Sequence, residues 1–125
     1  VAPTKSIVRE IKARHPKIPI IGLPRAAGEK TARYVRGTGV DGVSCDTGLS
    51  LEAMVSLADE EGVVVQGNLD PLLLVAGGEA LEARARQILS ALSGRPFVFN
   101  LGHGILPQTP PENVARLVAL VRNQG

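Results

Sequence analysis

The sequence predicts an α/β protein made of parallel strand and helix units. Two observations support this: four short apolar runs rich in β-branched and aromatic residues, and helical patterns between and after them. The runs span residues 18–23, 42–45, 63–66 and 97–100. They are almost continuously apolar, so we expect strands buried on both faces, as in parallel sheets covered by helices.

The helical patterns complete the order of elements. The most regular pattern places Leu81, Ala85 and Ile88 on one face, and Gly94 ends it. Weaker patterns cover residues 5–14, 29–36 and 51–59. The last helix has a start signal, because Thr109 and Glu112 have capping-box spacing around Pro110. The predicted order is a helix followed by four strand–helix units.

This order is compatible with half of an eight-stranded barrel or with a small open sheet, since right-handed crossovers place successive parallel strands side by side. An open dinucleotide-binding sheet usually has Gly-x-Gly-x-x-Gly after its first strand, but residues 23–28 read LPRAAG. The barrel is therefore favoured. The chain begins at Val1 with a helical pattern close behind, so we expect residues 1–125 to be one incomplete domain of a longer protein.

Composition excludes several classes of protein. A hydrophobic content of 44% with 21% charged residues is typical of a globular fold. The net charge of +2 is scattered and aromatic residues make up only 2%, so we expect no nucleic-acid partner. The longest apolar stretch, residues 72–76, is too short to span a membrane. Cys45 is the single cysteine, which argues against disulfides and thiolate-rich metal sites and fits a cytoplasmic location.

Polar side chains follow the predicted strands, where α/β enzymes carry their working residues. These residues are Arg25, Asp46, Thr47, Asn68, Asp70, Asn100 and His103. Most of them have a purely structural interpretation that we favour residue by residue. Asp46 and Asp70 can cap helices, Arg25 can pair with a carboxylate, and Asn68 can hold a turn.

His103 is the strongest candidate for a functional residue. Gly102 and Gly104 flank it, and glycines on both sides allow a ligand to approach the backbone closely. No Ser-His-Asp set, glycine-rich phosphate loop or paired-histidine metal motif accompanies it.

Four segments together identify a family. IPIIGLPRAAG, TGVDGVSCDTG, VVVQGNLDPLLLVAGGEAL and FVFNLGHGILPQTPPENVARLV resemble successive segments of the uroporphyrinogen decarboxylase family. The resemblance runs essentially from Val1 to Gln124. The resemblance implies a (β/α)8 TIM barrel, of which this chain would supply the C-terminal half.

The resemblance also implies an activity. Family members remove the carboxyl groups of the four acetate side chains of uroporphyrinogen III, giving coproporphyrinogen III in haem biosynthesis, with no metal and no organic cofactor. They act as homodimers of complete barrels. We therefore expect a carboxy-lyase in the complete protein and no activity from this 125-residue piece alone.

His103 matches the family's active-site histidine, which implies that it binds a substrate carboxylate or transfers a proton; the two roles stay open at this point. The family's arginine-containing loop, aspartate, tyrosine and serine belong to segments that this chain lacks. Tyr34 and Asp46 do not match their positions.

Two alternatives remain. Zinc-dependent methyltransferases of the same superfamily, acting on corrinoids or thiols, have a cysteine in place of His103 and a His-x-Cys pair in place of residues 22–24, which are Gly, Leu and Pro here. A half-barrel with a binding or scaffolding role and no catalysis is the second alternative.

Overall fold

A computed structural model describes residues 1–123 of the chain. It contains four strands and six α-helices, with a short 3₁₀ turn at Gly28–Lys30. In chain order the elements are α1 (Ala2–Arg14), β1 (Ile21–Gly22), α2 (Thr31–Thr38), β2 (Gly42–Ser44), α3 (Leu51–Glu61), β3 (Val64–Leu69), α4 (Pro71–Ala76), α5 (Gly78–Ala91), β4 (Phe97–Leu101) and α6 (Pro111–Arg122). Among these described helices, none is both long and apolar enough to cross a membrane.

The strands form one parallel sheet in the order β1-β2-β3-β4, so each strand lies beside its neighbour in sequence. The order never reverses, as it would in a doubly wound sheet. The predicted α/β class, the parallel pairing and the four strand–helix units are confirmed. A (β/α)8 barrel uses the same sequential order, and these four units are of the kind that make up half of one.

The helices form a single layer along one face of the sheet, with α1 against α2, α2 against α3, α3 against α5, and α5 against α6. Two apolar clusters lie between this layer and the strands. Val43, Val65 and Met54 are fully buried in the first cluster. Leu69 and Ile88 are fully buried in the second. The core therefore occupies the helix side of the sheet.

The opposite face of the sheet is open in the part of the chain described by the structure. Ile21 is 50% exposed and Val98 is 42% exposed, although both lie in strands. Burial alternates along β4, while all three residues of β2 are buried. The predicted burial of the strands on both faces is thus wrong for β1 and β4, because helices cover only one side of them.

The strand boundaries differ from the predicted ones at two places. β1 is limited to Ile21–Gly22, because the amide of Ile18 bonds the carbonyl of His15 in a turn and Pro19 has no N–H to donate. β3 extends to Leu69, well beyond the predicted end at residue 66. Asn68 is consequently part of a strand and does not follow one.

The predicted capping box before α6 is wrong. The helix begins at Pro111 with Pro110 as its N-cap, and no side chain caps it. The hydroxyl of Thr109 instead donates to the carbonyl of Leu106 at 2.7 Å, which closes the preceding turn. The Thr109 side chain therefore stabilises the turn before α6 and does not cap the helix.

Candidate functional site

The loop after β4 is held in place by two contacts that involve Gly102. Its amide donates to the carbonyl of Leu69 at 2.8 Å, which ties the end of β4 to the end of β3. A Cβ atom on Gly102 would collide with the backbone and the hydroxyl of Thr47, so this position requires glycine. At Gly104 a Cβ atom would meet nothing within 4 Å. The first glycine serves close packing, and the second leaves open space beside His103.

His103 is exposed on this loop and lines a small depression of about 180 Å³. The other lining residues are Leu23, Arg25, Gly102 and Gly104. The depression therefore joins the loop that follows β1 to the loop that follows β4. The structure brings Arg25 and His103 together although 77 residues separate them in the sequence (residues 26–102).

A larger depression of about 510 Å³ continues from His103 across the open face of the sheet. Its floor is largely apolar and includes the exposed side chains of Ile21 and Leu23. Ser44 and Gln66 add polar atoms, and the Gln66 amide nitrogen donates to the Ser44 hydroxyl at 3.2 Å. An apolar floor with few polar groups at one end is typical of a site for a small organic molecule.

Asp46 lies at the end of β2 and organises the loop after β1. One of its carboxylate oxygens accepts from the amide of Ala26 at 2.7 Å, and the other accepts from the amide of Gly48 at 3.2 Å. Ala26 has a φ angle of 53°, which is unfavourable for a residue with a Cβ atom. The structural interpretation of Asp46 as a helix cap is wrong, because Ser50 is the N-cap of α3. Asp46 instead holds the backbone directly after Arg25.

Asn68 and Asp70 have structural roles. The buried Asn68 amide nitrogen donates to the carbonyl of Asp46 at 2.9 Å and to that of Leu49 at 2.6 Å. Asp70 is the N-cap of α4 and accepts from the amide of Leu72 at 2.9 Å. The prediction that Asp70 caps a helix is confirmed. Asn68 was predicted to hold a turn, and its side chain holds the loop after β2. Neither residue lines the depression around His103.

Asn100 and Thr47 lie close to the site without adding a free charged group. Asn100 lines the larger depression, and its side-chain oxygen accepts from the adjacent amide of Leu101 at 2.8 Å. The Thr47 hydroxyl is buried under Gly102. Of the predicted strand-end residues, the structure therefore joins Arg25, Asn100 and His103 in one region.

Cys45 is not suited to nucleophilic chemistry. It is 2% exposed within the first apolar cluster. Burial, with a smaller contribution from the nearby Asp46 carboxylate, raises the pKa of its thiol to about 12. The thiol is therefore protonated at neutral pH, whereas a thiolate is the reactive form.

Metal-ligand chemistry is also sparse in residues 1–123, where no three His, Cys, Asp or Glu side chains are grouped so that they could hold a metal ion. Gly22, Leu23 and Pro24, where the methyltransferase alternative calls for a His-x-Cys pair, have no metal-binding side chain, and Leu23 lines the same depression as His103. The residue types at these positions do not support the methyltransferase alternative.

The arrangement suits an organic anion. An exposed imidazole and an exposed guanidinium flank an apolar floor at the carboxyl ends of parallel strands, which is where barrel enzymes bind their substrates. Arginine and histidine side chains both donate hydrogen bonds to carboxylates. Fold and site together define a parallel α/β chain with the strand order of a barrel, whose strand ends carry donors that can bind an acidic organic molecule.

Comparison with known proteins identifies the family. Residues 1–124 match the protein family described as uroporphyrinogen decarboxylase (URO-D). The chain is 55% identical to uroporphyrinogen decarboxylase of Gluconacetobacter diazotrophicus, over 98% of the chain and 34% of that protein. It is 52% identical to the enzyme of that name from Rhizorhabdus wittichii, over 98% of the chain and 35% of that protein.

The chain belongs to the uroporphyrinogen decarboxylase family. It spans about a third of the length of the curated relatives that it matches. The resemblance stated from the four motif segments is confirmed.

Sequence reasoning gave too little weight to two residues of the site. Arg25 was expected to pair with a carboxylate, but no ion pair of its guanidinium is found within residues 1–123. Asp46 was expected to cap a helix, yet it bonds the backbone beside Arg25. The signal for Asp46 was weak, because the bond joins residues 20 positions apart and sequence spacing does not reveal it.

Proposed function

We propose that this chain is the C-terminal part of a uroporphyrinogen decarboxylase, and that residues 1–125 form one incomplete domain of the enzyme's (β/α)8 barrel. The complete protein removes the carboxyl groups of the four acetate side chains of uroporphyrinogen III and releases coproporphyrinogen III. It uses no cofactor, acts as a cytoplasmic homodimer and has no nucleic-acid or membrane partner. The family match and the length of the relatives support this proposal.

The observation that carries the proposal is the position of His103. It is exposed between two glycines, at the rim of an apolar depression at the carboxyl ends of the strands. Uroporphyrinogen is a large apolar ring system that bears carboxylates on short side chains. An apolar floor with donors at its rim fits such a molecule.

The proposed chemistry needs a proton and a cationic surrounding. Protonation of an electron-rich pyrrole ring gives a positive ring, which accepts the electron pair of the breaking bond as carbon dioxide leaves. A second proton then converts the remaining side-chain carbon to a methyl group, while the ring proton is lost. His103 binds a substrate carboxylate or supplies one of these protons.

The test uses the complete protein that contains this chain. We expect His103→Ala to lower kcat/KM for uroporphyrinogen by about 10-fold to 1000-fold, because a group that binds or transfers protons in the transition state is lost. The melting temperature should change little, since the exposed side chain contributes little burial. His15→Ala is the matched control, because His15 is also exposed but follows α1, away from the depression.

His103→Asn separates the two roles. Asparagine keeps a hydrogen-bond donor but cannot titrate near neutral pH. Activity retained in His103→Asn and lost in His103→Ala would indicate carboxylate binding, and loss in both variants would indicate proton transfer. Rates equal to the wild type in both variants would refute the assignment of His103. The 125-residue chain, assayed in parallel, should be inactive because the other strand ends are missing.

A further inference from the structure

We propose that Arg25 is a second carboxylate-binding residue of this site, and that Asp46 is the positioning residue that holds Arg25 toward the ligand. The inference rests on the proposed function, because it takes the ligand to be a molecule that carries carboxylates. It adds to His103 a charged group from a different strand end.

The position of Arg25 is the first argument. Arg25 follows β1 and is exposed, and it lines the same depression as His103. Some other arginines are already neutralised: the guanidinium of Arg95, in the loop between α5 and β4, bonds both carboxylate oxygens of Asp59, at 2.8 and 3.0 Å. Within residues 1–123 the Arg25 guanidinium has no such ion pair. A planar guanidinium without a protein carboxylate can bind one from a ligand through two parallel hydrogen bonds.

The bonds of Asp46 are the second argument. Asp46 is the strand-end carboxylate that bonds the loop containing Arg25, but its two oxygens accept from the backbone amides of Ala26 and Gly48. Asp46 therefore fixes the backbone on the C-terminal side of Arg25, while its own hydrogen-bonding capacity is directed at amides. The bond also stabilises the left-handed conformation of Ala26, which has a φ angle of 53°.

The surroundings are the third argument. Leu23 is 53% exposed beside Arg25 and forms part of the apolar floor. Gly104 leaves space next to His103, because a Cβ atom there would touch nothing within 4 Å. A ligand with an apolar body and a carboxylate at its edge would place the body over Leu23 and the carboxylate between Arg25 and His103. This matches a pyrrole ring with a short acidic side chain.

The experiment compares variants of the complete protein under anaerobic conditions with uroporphyrinogen III as the probe. Arg25→Gln should raise KM by about 10-fold to 100-fold with a smaller change in kcat, since a charged hydrogen bond to the ligand is lost. The KM of Arg25→Lys should lie between those of the wild type and Arg25→Gln, because lysine keeps the positive charge but lacks the planar guanidinium that makes two parallel hydrogen bonds. Arg33→Gln is the matched control, because Arg33 is exposed on α2 in the helix layer and its loss changes the net charge equally.

A double-mutant cycle tests the role of Asp46. Asp46→Asn should raise KM in the same direction as Arg25→Gln, because one of the two amides loses its acceptor. The double variant should be no worse than Arg25→Gln alone, since Asp46 acts through Arg25. Additive effects of the two substitutions would refute the positioning role.

Steady-state turnover of uroporphyrinogen III, with KM as the measure of its binding, separates this inference from the proposed function. If the wild type binds and decarboxylates the probe but Arg25→Gln behaves like Arg33→Gln, the role of Arg25 is refuted and the proposed function stands. If the wild type neither binds nor decarboxylates it, both are overturned. Weaker binding in Arg25→Gln, with Arg33→Gln unchanged, supports the inference.

Discussion

The two glycines beside His103 should respond very differently to the same substitution. A Cβ atom on Gly102 would lie 2.9 Å from the Cα atom of Thr47 and still closer to its amide nitrogen and hydroxyl oxygen. Backbone atoms cannot rotate away as a side chain can. The loop after β4 would have to shift by roughly an ångström to reach normal van der Waals separations. The bond from the Gly102 amide to the carbonyl of Leu69, at 2.8 Å, would be strained by that shift.

Overpacking of this kind costs about 1–3 kcal/mol of the free energy of unfolding. Gly102→Ala should therefore lower the urea midpoint by roughly 1 M, given the usual dependence of unfolding free energy on denaturant. Gly104→Ala is the control and should leave the midpoint nearly unchanged, because its Cβ atom would meet nothing within 4 Å. Urea titrations followed by far-UV circular dichroism give both values. Equal midpoints for the two variants would refute the packing argument.

Two further predictions concern structural residues that do not line the depression around His103. Burial raises the pKa of the Cys45 thiol from 9.0 to about 12 in the folded protein. Between these values the unfolded chain loses the thiol proton and the folded protein keeps it, so the contribution of Cys45 to the free energy of unfolding is complete below pH 9 and is lost as the pH rises toward 12. The stability difference between the wild type and Cys45→Ala, from urea midpoints, should shrink between pH 9 and pH 11; a constant difference would contradict this. Asp70→Ala should lower the free energy of unfolding by about 1 kcal/mol, because α4 loses its N-cap bond. Asp70→Asn should have little effect, because asparagine keeps an acceptor for the amide of Leu72. Equal losses of unfolding free energy in the two variants would show that this hydrogen bond is not the source of the stabilisation.

The parallel strand order was predictable because it follows from which segments are strands and which are helices, and local composition shows this. Four β-branched or aromatic runs separated by helices allow few arrangements, and the right-handed crossover selects among them. The end of β3 was predicted too early because Gln66, Gly67 and Asn68 interrupt the apolar run. Asn68 is buried in the strand because carbonyl groups of the loop after β2 accept its hydrogens. Those partners come from tertiary structure and leave no local signal.

The candidate site was predictable only in part. His103 was identified from its flanking glycines and motif. The reason for the first glycine, the contact of Gly102 with Thr47, is visible only in three dimensions. The role of Arg25 depends on which carboxylates are already bonded elsewhere, and Asp46 is bonded to backbone amides. The predicted capping box at Thr109 is wrong because α6 begins at Pro111 with Pro110 as its N-cap, which leaves Thr109 in the preceding turn.

The short segment Asp46 and Thr47 makes contacts with each of the other three strand-end regions. Its carboxylate holds the amide of Ala26, its carbonyl accepts from Asn68, and Thr47 packs under Gly102. Protein engineers who exchange strand-end loops between barrels, in order to change the substrate, usually treat each loop as an independent module. In this fold the loops after β1 and β4 both rest on the Asp46–Thr47 segment, which belongs to neither loop. A transplant of either loop would therefore carry its geometry to a new scaffold only if the Asp46–Thr47 segment travelled with it.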